Sequence, residues 1–413
     1  MNAIILSIGN ELLSGKTVNS NASYIGRKLY EIGIVVSEIQ TIADDAAAIR
    51  NSLGRGLAQF DLVFMTGGLG PTHDDITKKV VAEYFNAELI FREDVMAMVE
   101  ERFRSINVKM PEVNRNQALV PQGAIVLENT AGTAPGMRMD KEGASVFIMP
   151  GVPAEMKAIM REHVLPFLRE KSGSVPLEVR QYRTTSIPES KLYERCKFIL
   201  EAHPDFQIAF LPRFTGVDIR LSVPAGRNEL LEELEEFERK LNEVVGNYIY
   251  AVGKENIEEV VQKLMLDGGL TLAVAESCSG GLIQHRVTNV AGSSGYFNGG
   301  AVTYSNAAKE KHLGVNSDSL QVHGAVSEVV AKEMAIGVRM AFQSDIGLAT
   351  TGIAGPGGGT PEKPVGLIYM ALAREGRVHA RELRLTPSRK LNKELTAQLA
   401  LDMLRRDILG ISR

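Results

Sequence analysis

Short apolar segments rich in β-formers run repeatedly, in this chain, into small-residue turns and then into amphipathic helices. The clearest case is Leu270-Thr-Leu-Ala-Val-Ala-Glu-Ser-Cys-Ser-Gly-Gly281, after which Leu282, Ile283, Val287 and Val290 fall at helical spacing. Alternation of this kind predicts a parallel sheet covered by helices, with sites at the C-terminal ends of its strands. Free N–H groups at a helix start attract anions, and a Ser in the turn sits at the mouth of the sheet. Alone, the turn establishes a βα unit, and Ser279 serves equally as an N-cap.

At 413 residues the chain is too long for one ordinary domain. Residues 1–170 give strand signals at 3–8, 34–42, 61–65 and 146–149, with helix signals at 19–32, 46–57, 76–85 and 154–168. A Ser/Gly/Pro linker follows, then a smaller α+β unit over 176–253, read as strand, helix (189–202), two strands (207–211 and 217–223), helix (229–245) and a final strand within 244–251. Leu230, Leu234, Phe237 and Leu241 line one face of its last helix. Residues 256–413 form the third domain, with helices at 257–266, 282–289, 328–342 and 391–409 and strands opening at 270 and at 301–304, 346–350, 366–374 and 381–385. The expected fold class is α/β: two three-layer α/β domains flanking the small α+β one.

Composition narrows the partners. The chain is 44% apolar with a net charge of −4, which gives no reason to expect a polyanion. Residues 176–253 hold ten Lys/Arg against thirteen Asp/Glu and no Gly-x-x-Gly, so a nucleic-acid partner is not expected there. That unit reads as a spacer or dimer element, and a homodimer is expected. Cys196 and Cys278 lack metal-ligand spacing and point to a reducing compartment. No apolar run reaches the roughly 20 residues of a membrane span, and the N-terminal run is strand-length without a basic leader. A cytoplasmic protein with no membrane partner is the expectation.

Two stretches carry chemistry. In the first domain, Thr66-Gly-Gly-Leu-Gly-Pro-Thr-His-Asp-Asp75 is a strand-to-helix glycine turn whose amides can cradle phosphate. It is neither a dinucleotide fingerprint nor a P-loop. Asn10-Glu11 and Asp44-Asp45 end the neighbouring strands, so carboxylates converge on one sheet edge, a set suited to a hard divalent cation bridging phosphate oxygens. Asp45 and Asp75 are equally good N-caps, and His73 reads as a surface turn residue. In the third domain none of His285, His312, His323 and His379 has an evident pairing, and Gly-x-Ser-x-Gly is absent. The alternative base for a Ser nucleophile is a desolvated lysine, and Lys309 follows the next strand-length segment. Cys278 reads as a small apolar filler, and Glu276 as either an orienting carboxylate or a turn residue.

Taken together, Ile8-Gly-Asn-Glu-Leu-Leu-Ser-Gly, Thr66-Gly-Gly-Leu-Gly-Pro-Thr-His-Asp-Asp and Met149-Pro-Gly-Val-Pro resemble the molybdopterin-binding fold in the version found in the CinA family. The middle unit is similar to that family's KH-like module. Ala275-Glu-Ser-Cys-Ser-Gly-Gly, Val302-Thr-Tyr-Ser-Asn-x-x-Lys, His323-Gly-Ala-Val-Ser and Gly352-Ile-Ala-Gly-Pro-Gly-Gly resemble its C-terminal domain, where Thr is commoner at the place of Ser279. The resemblance implies a bifunctional hydrolase of pyridine nucleotide salvage. Its C-terminal domain would convert nicotinamide mononucleotide to nicotinate mononucleotide and ammonia, with Ser277 as nucleophile, Lys309 as base and no cofactor. Tyr304 and Thr351 would orient these groups, and Ser279, Gly280, Gly281, Gly355, Gly357 and Gly358 would hold the oxyanion or phosphate. The N-terminal domain would cleave ADP-ribose to AMP and ribose 5-phosphate with a divalent metal of the Mg or Co type. There Glu11, Asp44, Asp74 and Asp75 would hold metal or water, and Gly67, Gly68, Gly70, Thr72, Asn19 and Lys78 would contact phosphate. A molybdopterin- or adenylate-handling N-terminal domain, or a non-enzymatic competence scaffold, are the alternatives.

Overall fold

The computed structural model describes residues 1–411 apart from 71, 73, 74, 174, 226 and 227. It divides into two compact units, one of residues 1–178 and one of nearly everything that follows.

The first unit contains β1 (Asn2–Ile8), β2 (Val35–Ile42), β3 (Leu62–Thr66), a two-stranded ribbon of β4 (Leu89–Phe91) and β5 (Leu119–Pro121), then β6 (Ile125–Leu127), β7 (Gly136–Lys141) and β8 (Ala144–Met149). Its main sheet runs β2-β1-β3-β8-β7-β6. The first four strands are parallel, as the alternation predicts, whereas β7 runs antiparallel to β8 and β6 antiparallel to β7. The cause is local: Glu142 (φ 51°) and Gly143 (φ 91°) form a two-residue turn of the primed type that suits a hairpin. Ile4, Leu6, Val63, Met65, Val146 and Ile148 face one core, whereas Ala3, Ile5, Leu62, Phe64, Phe147 and Met149 face another. That alternation on strands buried on both faces makes three layers. Helices Ala46–Gln59 and Thr77–Tyr84 cover the first core, and Ser20–Glu31 and Pro153–Ile159 the second. The single helix expected over 154–168 contains a π-helical segment, Met160–Val164.

The second unit opens with β9 (Leu177–Thr184), β10 (Gln207–Arg213), β11 (Gly216–Pro224) and β12 (Ile249–Val252), in the order β10-β11-β9-β12. Helices Glu189–Ala202 and Asn228–Val245 pack over one face of this sheet on Leu192, Cys196, Phe206 and Phe237. Arg183 of β9 donates from Nη1 to the carbonyls of Lys254 (2.9 Å) and Glu255 (2.6 Å) and to Asn256 Oδ1 (3.0 Å). Asn256 caps helix Ile257–Asp267, and Glu259 reaches back to its N–H at 2.6 Å.

The final sheet holds β13 (Leu272–Glu276), β14 (Phe297–Val302), β15 (Ile346–Gly352), β16 (Leu367–Arg374) and β17 (Arg377–Arg384), ordered β14-β13-β15-β16-β17. The first three are parallel and the last two antiparallel. β17 starts four residues before the expected 381, because Gly376 (φ 68°) turns the chain straight out of β16. Helices Ile257–Asp267 and Arg389–Ile408 cover one face, Glu328–Ala341 the other, and a further helix, Ser317–His323, lies where no helix signal stands out. Among the described residues no helix is long and apolar enough to cross a membrane.

Candidate functional site

The turn after β13 is fixed from inside. Ser277 donates its N–H to the Thr350 carbonyl at 2.9 Å, and Gly280 (φ 61°) and Gly281 (φ 89°) let the chain reverse into helix Leu282–Thr288. Glu276 is fully buried, and its carboxylate accepts from Ile283 N (3.2 Å) and Gln284 N (2.9 Å). The positive end of that helix, which the sequence offers to a bound anion, is therefore occupied by the chain's own carboxylate. Ser279 is likewise buried, with its hydroxyl 2.7 Å from Thr350 Oγ1. Ser279, Gly280 and Gly281 form the turn and are not among the residues lining the cleft beside it.

Lys309 arrives from the adjacent strand. β14 pairs with β13 so that Val302 stands opposite Glu276, and Ser305 then caps helix Asn306–Leu313 by accepting from Ala308 N at 3.2 Å. Lys309, in the first turn of that helix, is only 1% exposed. Its Nζ donates to the Thr303 carbonyl (2.8 Å), the Tyr304 carbonyl (3.3 Å) and Ser277 Oγ (3.2 Å). Burial pulls its pKa below the ordinary lysine value. Among the described residues no carboxylate is recorded in an ion pair with it. These are the conditions under which an amine can serve as a base to a hydroxyl.

The two expected helpers line the same cleft, with their hydroxyls bound to other partners. Thr351 Oγ1 donates to the Ala325 carbonyl at 2.7 Å, and the Tyr304 hydroxyl accepts from Arg389 at 2.8 Å. Their hydroxyls hold the walls, and it is the backbone of Tyr304 that touches Lys309. The cleft, about 260 Å3, is lined by Ser277, Lys309, Thr351, Gly355, Gly357 and Gly358, among others. Arg389, absent from the sequence expectations, also lines it and donates to the Gly355 carbonyl at 3.1 Å. The signal available was a basic run, Arg389, Lys390 and Lys393, opening the last helix. Cys278 is buried in the core, and burial lifts its thiol to about 12, as suits an apolar filler.

In the first unit, the turns after β1, β2, β3 and β8 meet around a cleft of about 700 Å3. It is lined by Glu11, Asp44, Asp75, Gly67, Gly68 and Gly70, and by Gln117 and Glu155, which sequence reasoning did not single out. The glycines are required by space. A Cβ on Gly67 (φ 112°) would stand 2.2 Å from the Ile8 carbonyl oxygen, and one on Gly68 (φ 64°) 2.1 Å from Thr77 Oγ1. Asp44 Oδ2 accepts from Asn10 N at 3.0 Å. Asp75 Oδ2 accepts from Thr72 N (3.0 Å) and Thr72 Oγ1 (2.6 Å), so Asp75 braces the loop and caps no helix, unlike Asp45, which accepts from Ala48 N at 2.9 Å. Asp74 and His73 lie outside the described residues.

Two expected phosphate contacts are not brought to this cleft. Asn19 caps helix Ser20–Glu31 through Ala22 N (3.1 Å), and Lys78 donates to the Asn116 carbonyl at 2.6 Å, with burial drawing it down to about 8. Thr72 spends its hydroxyl on Asp75. Glu155 accepts from Asn129 at 2.6 Å and is raised above the usual carboxylate range by burial, whereas the buried Nε2 of Gln117 has no partner among the described residues. Among the described residues no three His, Cys, Asp or Glu side chains lie close enough together to hold a metal ion. Glu11, Asp44 and Asp75 nevertheless supply oxygen donors of the kind that hard cations take, from three separate turns of one cleft.

Comparison with known proteins gives the same three-part division. Residues 4–170 match a probable molybdopterin-binding domain, 179–251 the KH domain of the damage-inducible protein CinA, and 254–408 the CinA C-terminal domain. A putative competence-damage inducible protein of Caldicellulosiruptor saccharolyticus is 40% identical over 99% of this chain and 100% of its own length. Another, from Acetivibrio thermocellus, is 42% identical over 100% of both. The crystal structure of the competence/damage inducible protein CihA from Agrobacterium tumefaciens is 43% identical over 37% of this chain and 95% of its own, with a TM-score of 0.35. With its glycine turn, its middle module and its Ser/Lys cleft in this order, the chain belongs to the CinA family of competence/damage-inducible proteins.

Proposed function

We propose that this protein is a hydrolase whose C-terminal domain removes the carboxamide nitrogen of nicotinamide mononucleotide. The observation that carries the reading is the contact of a buried Lys309 Nζ, with no carboxylate in an ion pair with it among the described residues, with Ser277 Oγ at 3.2 Å. Ser277 Oγ attacks the carboxamide carbon as its proton passes to Lys309 Nζ. Nζ then gives a proton to the departing nitrogen, ammonia leaves, and an ester remains on Ser277. Water cleaves the ester, its proton passing to Nζ and on to the departing Ser277 Oγ, so that nicotinate mononucleotide leaves and both side chains are restored. The carbonyls of Thr303 and Tyr304 stabilise the ammonium form that exists between these steps. Arg389, at the same cleft, is the cation that meets the substrate phosphate. Incubation with nicotinamide mononucleotide should release ammonia, and Ser277→Ala should abolish it. Release undiminished in that variant would remove the proposal.

A second activity is proposed for the first unit, metal-dependent cleavage of ADP-ribose to AMP and ribose 5-phosphate. It is supported by a glycine turn that lets backbone approach a phosphate beside carboxylates from three strand ends. Glu11, Asp44 and Asp75, which form no closed three-ligand cluster among the described residues, would each offer an oxygen donor to a divalent ion of the Mg or Co type, which when bound supplies charge neutralisation for the pyrophosphate. Absence of AMP with every divalent ion tried would favour a molybdopterin- or adenylate-handling role for that unit.

A further inference from the structure

Helix Arg389–Ile408 opens on an imbalance of charge. Arg389, Lys390 and Lys393 fall within its first five residues, and its first turn holds no acid. A helix gathers partial positive charge at that end, so cations there are disfavoured and anions favoured. The N-cap residue, Ser388, makes no side-chain cap bond that would offset it.

Lys393 is the least accounted for of the three. It is only partly exposed, yet among the described residues it has no hydrogen-bond or ion-pair partner. An ammonium that gives up hydration without gaining an acceptor is unfavourable. Its place is fixed by Gly280, where a Cβ would stand 3.2 Å from Lys393 Nζ and 3.6 Å from Cε. Gly280 is exposed and belongs to the turn that starts at Ser277, whose carbonyl accepts from Gly280 N at 3.1 Å. Residues four apart share a helix face, so Arg389 stands one turn before Lys393 on the same side. Arg389 donates to the Gly355 carbonyl (3.1 Å) and the Tyr304 hydroxyl (2.8 Å), which leaves other N–H groups of its fork to spare. Two cations of one helix face are thus set against the elements that carry Ser277.

We infer that Lys393 is a second phosphate-binding residue of the C-terminal site and selects nucleotides over nucleosides there. The inference rests on the deamidation reading given above. The cleft, about 260 Å3, falls below the range of roughly 300–1,000 Å3 usual for small-molecule sites. A mononucleotide with its carboxamide at Ser277 therefore carries its phosphate beyond the residues that line the cleft. Lys393 is not one of those residues; it stands one turn on from Arg389, which is. A phosphate held between the two gives Lys393 the acceptor it lacks and offsets the positive helix end. A lysine that only adds to the field of that end would act through its charge alone, and exposed Lys390 measures that effect.

Steady-state ammonia release is measured with nicotinamide mononucleotide and with nicotinamide riboside, which lacks only the phosphate. The full-length protein is compared with Lys393→Gln and Lys390→Gln. Lys393→Gln should raise KM for the nucleotide about tenfold, the worth of one charge-assisted contact, and leave kcat within about twofold. Neither constant for the riboside should move. Lys390→Gln removes the same charge from the same helix end and should change each constant by less than about twofold. An unchanged nucleotide KM in Lys393→Gln, an equal loss with the riboside, or an equal effect of Lys390→Gln overturns the inference. Calorimetric titration with ribose 5-phosphate and with ribose, in chelator, reads the site without turnover. If the wild type releases no ammonia, phosphate-dependent binding that Lys393→Gln weakens about tenfold keeps the anion site while the deamidation reading falls. Binding indifferent to Lys393 removes both.

Discussion

Replacing Lys309 by methionine keeps the length and apolar stem of the side chain and deletes one atom's chemistry. Nζ touches three groups: Ser277 Oγ at 3.2 Å, and the Thr303 and Tyr304 carbonyls at 2.8 and 3.3 Å. If the first contact is the proton path, its loss costs a general-base factor of about 10^2–10^4, or about 2.7–5.4 kcal/mol of barrier. The carbonyls lose their donor, each at about 1–3 kcal/mol, but the variant no longer buries an amine that must desolvate when charged. These effects oppose one another, so Tm should move by only a few degrees. The pH dependence separates chemistry from folding. Because burial holds the folded pKa of Lys309 below 10.5, the folded chain releases that proton first, and wild-type stability rises with pH between the folded value and 10.5. Ammonia release should climb over a limb that lies below 10.5, and Lys309→Met should lose both the stability slope and the limb. A folded Lys309→Met that works within about threefold of wild type, or keeps the limb in place, would refute Lys309 as the base.

Three further outcomes follow from the geometry. Glu276→Gln leaves two buried amides facing one acceptor and should lower stability by about 2–3 kcal/mol, read from denaturant unfolding; an unchanged midpoint would mean the cap is idle. With its thiol lifted to about 12, Cys278 should resist iodoacetamide at pH 8 in the native chain and react in urea, as mass spectrometry will show. Chelation should stop AMP release from ADP-ribose, and Asp75→Asn should slow it by about a hundredfold or more; full activity in chelator would end the metal assignment.

The pair at the heart of the C-terminal cleft was readable because two simple rules place it. Ser277 and Thr303 each follow a strand of a parallel pair, and a capped first turn then brings Lys309 back over the edge. Arg389 was not readable in the same way. It follows two antiparallel strands and returns to the cleft only because β16 and β17 reverse the chain. The role of Glu276 was hidden too, since a buried carboxylate that caps its own helix leaves no periodic trace. Within residues 86–145 the strands Leu89–Phe91 and Ile125–Leu127 are too short to show alternation, whereas helix Glu93–Ser105 carries Val95, Met96 and Val99 at helical spacing and is legible although absent from the sequence expectations. Asn19 and Lys78 sit beside the right motifs in sequence, but one spends its side chain on a cap and the other on the Asn116 carbonyl.

Arg183 bears on how the middle domain can move. One guanidinium grips the Lys254 and Glu255 carbonyls and the Asn256 side chain, three of the four residues that join β12 to helix Ile257–Asp267. A connection held at three points by one rigid, planar group has no free swivel. Torque on the middle domain is therefore delivered to the first turn of that helix, which packs against Arg389–Ile408 through the core they share. In mechanical terms the middle domain is a lever clamped at its fulcrum.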